Sequence, residues 1–161
     1  MIRATLLVLC PLALAFASDD KTDRASLKGL KAVCTVVEVS DQSQGAVSLS
    51  QEQLLSDVRD KLNMAKIPVD KEATACLYLN VRLLPAMGRN SKPIGLYAAD
   101  FKLEFLQAAT LARDPAIRTY ASTWSLANMA NVPAQDVERT TREIVTDLME
   151  KFVRAYKSVN K

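Results

Sequence analysis

Residues 96–126 constrain the fold most, because they alternate like a strand, turn and return. Tyr97, Ala99, Phe101, Leu103 and Phe105 fall on one side, and Asp100, Lys102 and Glu104 on the other. Side chains of a strand point alternately to its two faces, so this is a half-buried strand with one face in water. Burying Phe101, Leu103 and Phe105 contributes about 5–9 kcal/mol gross, an upper figure. Arg113-Asp114-Pro115-Ala116 supplies a turn: Asp suits the first position through its carboxylate, and Pro pre-sets the next φ. A second β-rich run over residues 117–126, with Thr, Tyr and Trp, then comes back beside the first.

The front of the chain reads as a targeting segment. Arg3 gives a positive start, residues 6–16 are apolar but too short to span a bilayer, and Ala15-Phe16-Ala17 has the small-x-small form that a signal peptidase cuts. Cleavage near Ala17 would start the mature chain at Ser18 and place it outside the cytoplasm. A lipid anchor would need Cys10, but the bulky Leu9 precedes it and the apolar run encloses it; a retained anchor is the other alternative. Removing residues 1–17 from 161 leaves 144, enough for one domain with a sizeable core. Loss of Arg3 lowers Lys plus Arg from 21 to 20 against 18 Asp plus Glu, a mature charge of +2. That balance argues against nucleic acid or an anionic membrane as partner. No later apolar run reaches transmembrane length.

Residues 18–29 are polar and without period, the pattern of a mobile tail, so residues 30–161 form the expected domain. Residues 30–39 are a strand, apolar on both faces, which suits an inner strand or one flanked on both sides. The best-signalled helix follows. Ser50 is its N-cap, Gln53 completes a capping box and Leu49 with Leu54 forms a hydrophobic staple; Leu54, Leu55, Val58, Leu62 and Ala65 line one side. Pro68 forces it to stop near Lys66. Residues 73–84 alternate as the next strand, with Leu77, Leu79, Val81 and Leu83 opposite Cys76, Tyr78, Asn80 and Arg82. Strand, helix, strand points to a parallel crossover unit. Residues 85–95 are a long loop rich in Pro and Gly, and Pro133 opens a closing helix striped by Val137, Ile144, Val145, Leu148, Phe152 and Tyr156. Its Glu138–Arg142, Asp147–Lys151 and Glu150–Arg154 spacings suggest ion pairs along its wet side. The order β-α-β-β-β-α predicts an α+β two-layer sandwich: a four-stranded mixed sheet in spatial order 1-2-3-4 with both helices on one face.

Two cysteines, Cys34 and Cys76, remain after cleavage, both in expected strands. An oxidising compartment permits a disulfide between them; the alternative is two buried thiols. The chain has no histidine, so it lacks the commonest general base and any Ser-His-Asp or Cys-His arrangement. Asp100 and Glu104 share a strand face but lie about 13 Å apart with Lys102 between them, a charge ladder rather than a catalytic pair. Two lone cysteines without histidine make no metal site. The sequence thus predicts no enzyme, metal or cofactor.

Two places remain for binding. If the fourth strand keeps its apolar parity, Tyr120, Trp124 and Leu126 are buried; with the opposite parity, Ile117, Ala121 and Thr123 are. The second case puts Arg118, Tyr120 and Trp124 on the open face beside Tyr78, Arg82 and Lys102, an aromatic and basic platform suited to docking. A lone Trp in a small domain is usually packed, and a one-residue bulge would divide the strand between the two parities. The second place is the 85–95 loop, where Met87, Arg89, Lys92 and Ile94 mix apolar and basic groups.

The export signal, the capped helix ending in Ala65-Lys66-Ile67-Pro68-Val69, the strand at residues 77–83, the hairpin carrying Thr123-Trp124 and the closing helix together resemble small secreted or periplasmic bacterial proteins of unknown function. The module is similar to the TolB N-terminal domain and to LptE-like envelope proteins, though it lacks a lipobox cysteine. The resemblance implies a protein-interaction role in the cell envelope. The expectation is therefore a non-catalytic binding or adaptor module with a protein partner, or self-association through the open sheet face or a strand edge. The alternative is a carrier of a small or lipid-like ligand held between sheet and helices.

Overall fold

A computed structural model describes residues 19–43 and 47–160. The expected signal segment, residues 1–17, and residues 44–46 lie outside the described residues. The elements are α1 (Lys21–Ala25), β1 (Cys34–Asp41), α2 (Gln51–Met64), β2 (Cys76–Met87), β3 (Pro93–Leu111), β4 (Asp114–Pro133), a 3₁₀ turn (Ala134–Asp136) and α3 (Val137–Val159). The four strands form one sheet in the order β1-β2-β3-β4, with β1 parallel to β2 and the other neighbours antiparallel. This is the expected two-layer α+β sandwich. Leu77, Leu79, Val81 and Leu83 of β2 and Ala99, Phe101, Leu103 and Phe105 of β3 form one core with Leu54, Val58 and Leu62 of α2 and Val145, Leu148 and Phe152 of α3. Both long helices therefore cover the same face of the sheet.

α2 forms with Ser50 as its N-cap, but among the described residues the capping box stays half made, because the Gln53 side chain donates to Asp57 Oδ1 at 3.1 Å. The Ser50 hydroxyl accepts from the Gln53 N–H at 3.2 Å, so Ser50→Ala should lower stability by about 1 kcal/mol in urea unfolding. At the other end Lys66 adopts φ 61°, its N–H bonds the Asn63 carbonyl, and the Ile67 N–H bonds the Leu62 carbonyl. This is a Schellman cap, and it buries Ile67 with Leu62. Pro68 follows a helix that its own left-handed residue has already ended.

Three expectations change. Residues 19–29 are not a loose tail: the Asp20 carboxylate caps α1 by accepting from Asp23 N–H at 2.8 Å, and Leu27 is fully buried. The Asn160 side chain ties the segment to the end of α3, donating to the Leu27 carbonyl at 2.8 Å and accepting from the Gly29 N–H at 2.7 Å. β1 takes the edge position that the order 1-2-3-4 gives it, but its second apolar face is not flanked: it lies partly in water, with Val36 43% exposed. The loop at 85–95 is short. β2 and β3 pair as far as Met87 opposite Pro93, and Gly88–Lys92 closes through the Gly88 N–H on the Lys92 carbonyl at 2.8 Å.

The wet side of α3 also differs from its spacing. Asp147–Lys151 pairs within the helix at 2.8 Å, but Arg142 takes Asp57 of α2 at 2.7 Å and Lys61 of α2 takes Glu150 at 3.3 Å. A partner on the facing helix displaces the one a turn away. On the opposite side of α3, Thr141 is fully buried and its hydroxyl has no partner among the described residues. Thr141→Val keeps the shape and removes the desolvated hydroxyl, so stability should rise by about 1 kcal/mol, read as a higher melting temperature.

Candidate functional site

The candidate residues separate along β4. Phe105 pairs with Trp124, but Leu106 pairs with Ser122, so Thr123 is an extra residue in the ladder. A bulge of this kind reverses the side-chain parity on either side of it. Trp124 therefore points under the helices, 1% exposed, edge-on to Phe152 at 5.2 Å, while Tyr120 is 65% exposed. Trp124 leaves the candidate face; Arg118 and Tyr120 stay on it. Polar groups fix the bulge: Gln107 Nε2 donates to Thr123 Oγ1 at 2.8 Å and Ser26 Oγ donates to the Thr123 carbonyl at 3.2 Å. The buried indole finds its acceptor in the N-terminal segment, Nε1 donating to Asp19 Oδ1 at 2.8 Å. Asp19 also meets Arg24 at 2.6 Å. The Arg24 hydrogen bond, aided by the indole N–H, holds its carboxyl below the ordinary carboxylate range against a desolvation that pushes the other way.

The centre of the open face carries Tyr78, Arg82 and Lys102, and each already has a partner. Arg82 Nη2 meets Asp100 Oδ2 at 2.7 Å, Lys102 Nζ meets Glu104 Oε1 at 3.1 Å, and the Tyr78 hydroxyl donates to Glu38 of β1. That bond to the Glu38 carboxylate raises the phenol's pKa above its usual value, because it stabilises the protonated form. Asp100 and Glu104 thus serve as counter-ions to the cations beside them. Surface pairs of this kind contribute little stability but neutralise the patch.

Arg118 and Tyr120 lie elsewhere on the same face. β2 begins at Cys76 opposite Leu106, so the ribbon beyond that point is a two-stranded arm, with Tyr120 across from Ala108 and Arg118 across from Thr110. Tyr120 sits about 13 Å along the strands from the Glu104 level, so the expected platform is two separate patches. No carboxylate among the described residues pairs with Arg118. At the other end, Met87, Arg89, Lys92 and Ile94 stand exposed around the short β2–β3 turn.

Cys34 and Cys76 lie directly opposite each other in the parallel ladder, Cα atoms 4.4 Å apart, and form a disulfide. An open groove of about 780 Å³ that no local sequence signal marks runs between α2 and α3, lined by Asp57, Asp60, Met64, Glu138 and Arg142, with Met64 80% exposed. It lies on the outer side of the helices. The layer between sheet and helices, where a carrier would hold its ligand, is filled by the rings of Phe105, stacked on Phe152, and of Trp124, edge-on to it. Among the described residues no three His, Cys, Asp or Glu side chains are grouped to hold a metal, and no helix is long and apolar enough to cross a membrane.

These features define a two-layer α+β module with one covered and one bare sheet face. No family model and no curated protein matches the chain. Its fold is similar to that of PelC from Paraburkholderia phytofirmans, solved as a dodecamer, at 12% identity over 80% of this chain and 92% of that one, TM-score 0.41. It is also similar to rare lipoprotein B from Shewanella oneidensis (13% identity, 76% and 94% covered, TM-score 0.39) and to a minor lipoprotein from Acinetobacter baumannii (11% identity, 78% and 90% covered, TM-score 0.36). Likeness at this level carries no argument about function.

Proposed function

We propose that this chain is an exported, non-catalytic binding module of the cell envelope, recruiting a protein partner through the arm of its β3–β4 ribbon. Export rests on the leader pattern of residues 1–17. One observation carries the binding site: the cations at the centre of the bare face are neutralised in place, whereas Arg118 has no carboxylate partner among the described residues and stands beside a largely exposed Tyr120. An unpaired guanidinium next to an exposed phenol ring suits a partner segment that brings a carboxylate and an apolar group, since Arg and Tyr carry binding energy well.

A photo-crosslinking residue at position 120 of the exported protein, compared with one at position 64 in the helical groove, tests this in the exporting host. The proposal expects a specific adduct from position 120 only. Arg118→Glu combined with Tyr120→Ala should reduce capture of the same partner about tenfold or more, with the melting temperature unchanged. Equal adducts from both positions, or capture indifferent to the double substitution, would contradict it.

A further inference from the structure

We infer that a second copy of this chain pairs with the free edge of β4, antiparallel and about a two-fold axis through Asn128. The inference is independent of the arm's role and concerns a different stretch of the same strand. A sheet of order β1-β2-β3-β4 has two edges, and they are protected differently. β1 is eight residues long, carries Glu38 and Asp41, and is covered at its start, where the Val33 N–H bonds the Pro68 carbonyl and the Asp70 N–H bonds the Val33 carbonyl. Short length, charge and cover are the usual ways to stop an edge from templating another strand.

β4 is twenty residues long, and after Arg118 it has no charged residue through Pro133. The Ser26 hydroxyl reaches its backbone at the Thr123 bulge. From Ser125 to Asn131 no hydrogen bond from any described residue outside β3 reaches it. Between the Thr123 bulge and the 3₁₀ turn, the edge that lies along the four-stranded part of the sheet is thus open over a seven-residue stretch, Ser-Leu-Ala-Asn-Met-Ala-Asn.

The order of residues in that stretch favours itself as partner. With Asn128 on the axis, Ala127 falls opposite Met129 of the other copy and Leu126 opposite Ala130. Opposed residues in an antiparallel pair share a sheet face, so each large side chain meets a small one on both faces. On the open face this covers Met129, otherwise 75% exposed. The axis residue is an amide, the ends pair Ser125 with Asn131, and no like charges meet. A two-fold contact closes on itself and stops at the dimer, giving one eight-stranded sheet.

Sedimentation velocity of the mature chain across a wide concentration range tests the assembly, and cysteine pairing tests its geometry. The inference expects a reversible monomer–dimer equilibrium that Ala127→Lys shifts at least tenfold toward monomer, without a change in the melting temperature measured at concentrations where both chains are monomeric. Asn128→Cys should form an intermolecular disulfide under mild oxidation, while Glu38→Cys on the β1 edge should not. A monomer at every concentration, a dimer untouched by Ala127→Lys, or equal cross-linking at positions 38 and 128 would overturn it.

Discussion

Trp124→Ala should lower stability by about 3–5 kcal/mol, whereas Tyr120→Ala, four residues away on the same strand, should stay within about 0.5 kcal/mol of the parent. The contrast follows from the bulge at Thr123. Trp124 fills the space against Phe152 beneath α3, and its removal leaves a cavity that rigid strands and a long helix cannot close. It also strips Asp19 of the indole N–H that helps hold the N-terminal segment in place. Tyr120 stands on the arm in water and leaves no cavity. Urea unfolding of the two variants reads the difference; equal losses would mean that β4 keeps one parity along its length.

The second large effect belongs to the disulfide. Replacing Cys34 and Cys76 together by alanine should cost about 4 kcal/mol, because the bridge closes a loop of about 43 residues and removes that freedom from the unfolded chain. The loop encloses β1 and α2, the one crossover unit of the sheet and its slowest pairing to find. The Ala pair should therefore refold more slowly as well as unfold at lower urea. A variant as stable as the parent would show that the bridge is incidental to a ladder already held by its neighbours.

Local signals made much of this fold legible. Ser50, Leu54, Val58 and Leu62 specify α2 by cap and period, and the alternation from Tyr97 to Phe105 specifies the strand that lies under both helices. What the sequence hid depends on distant partners. Apart from Tyr120, residues 107–110 and 119–123 are small or polar, without an inside to alternate toward, and they extend as an arm because each strand supplies the other's hydrogen bonds. The N-terminal segment looks like a tail because Leu27 is its one large apolar residue; its hold comes from Trp124 and Asn160, about a hundred residues or more away. Arg142 and Glu150 likewise chose partners on α2 over those one turn along α3. The platform read as a single cluster failed for a related reason. Sequence gives parity within a strand, and one bulge sends Trp124 under the helices while leaving Arg118 and Tyr120 outside.

Two helices shield one face of the sheet and leave the other bare. Hydroxyl-radical footprinting of the folded monomer, read residue by residue in a mass spectrometer, tests this arrangement most directly, because chain neighbours face opposite ways. Val36, Leu84 and Tyr120 should oxidise readily while Val37, Leu83 and Trp124 stay protected. Comparable oxidation of Leu83 and Leu84, or of Trp124 and Tyr120, would contradict the account.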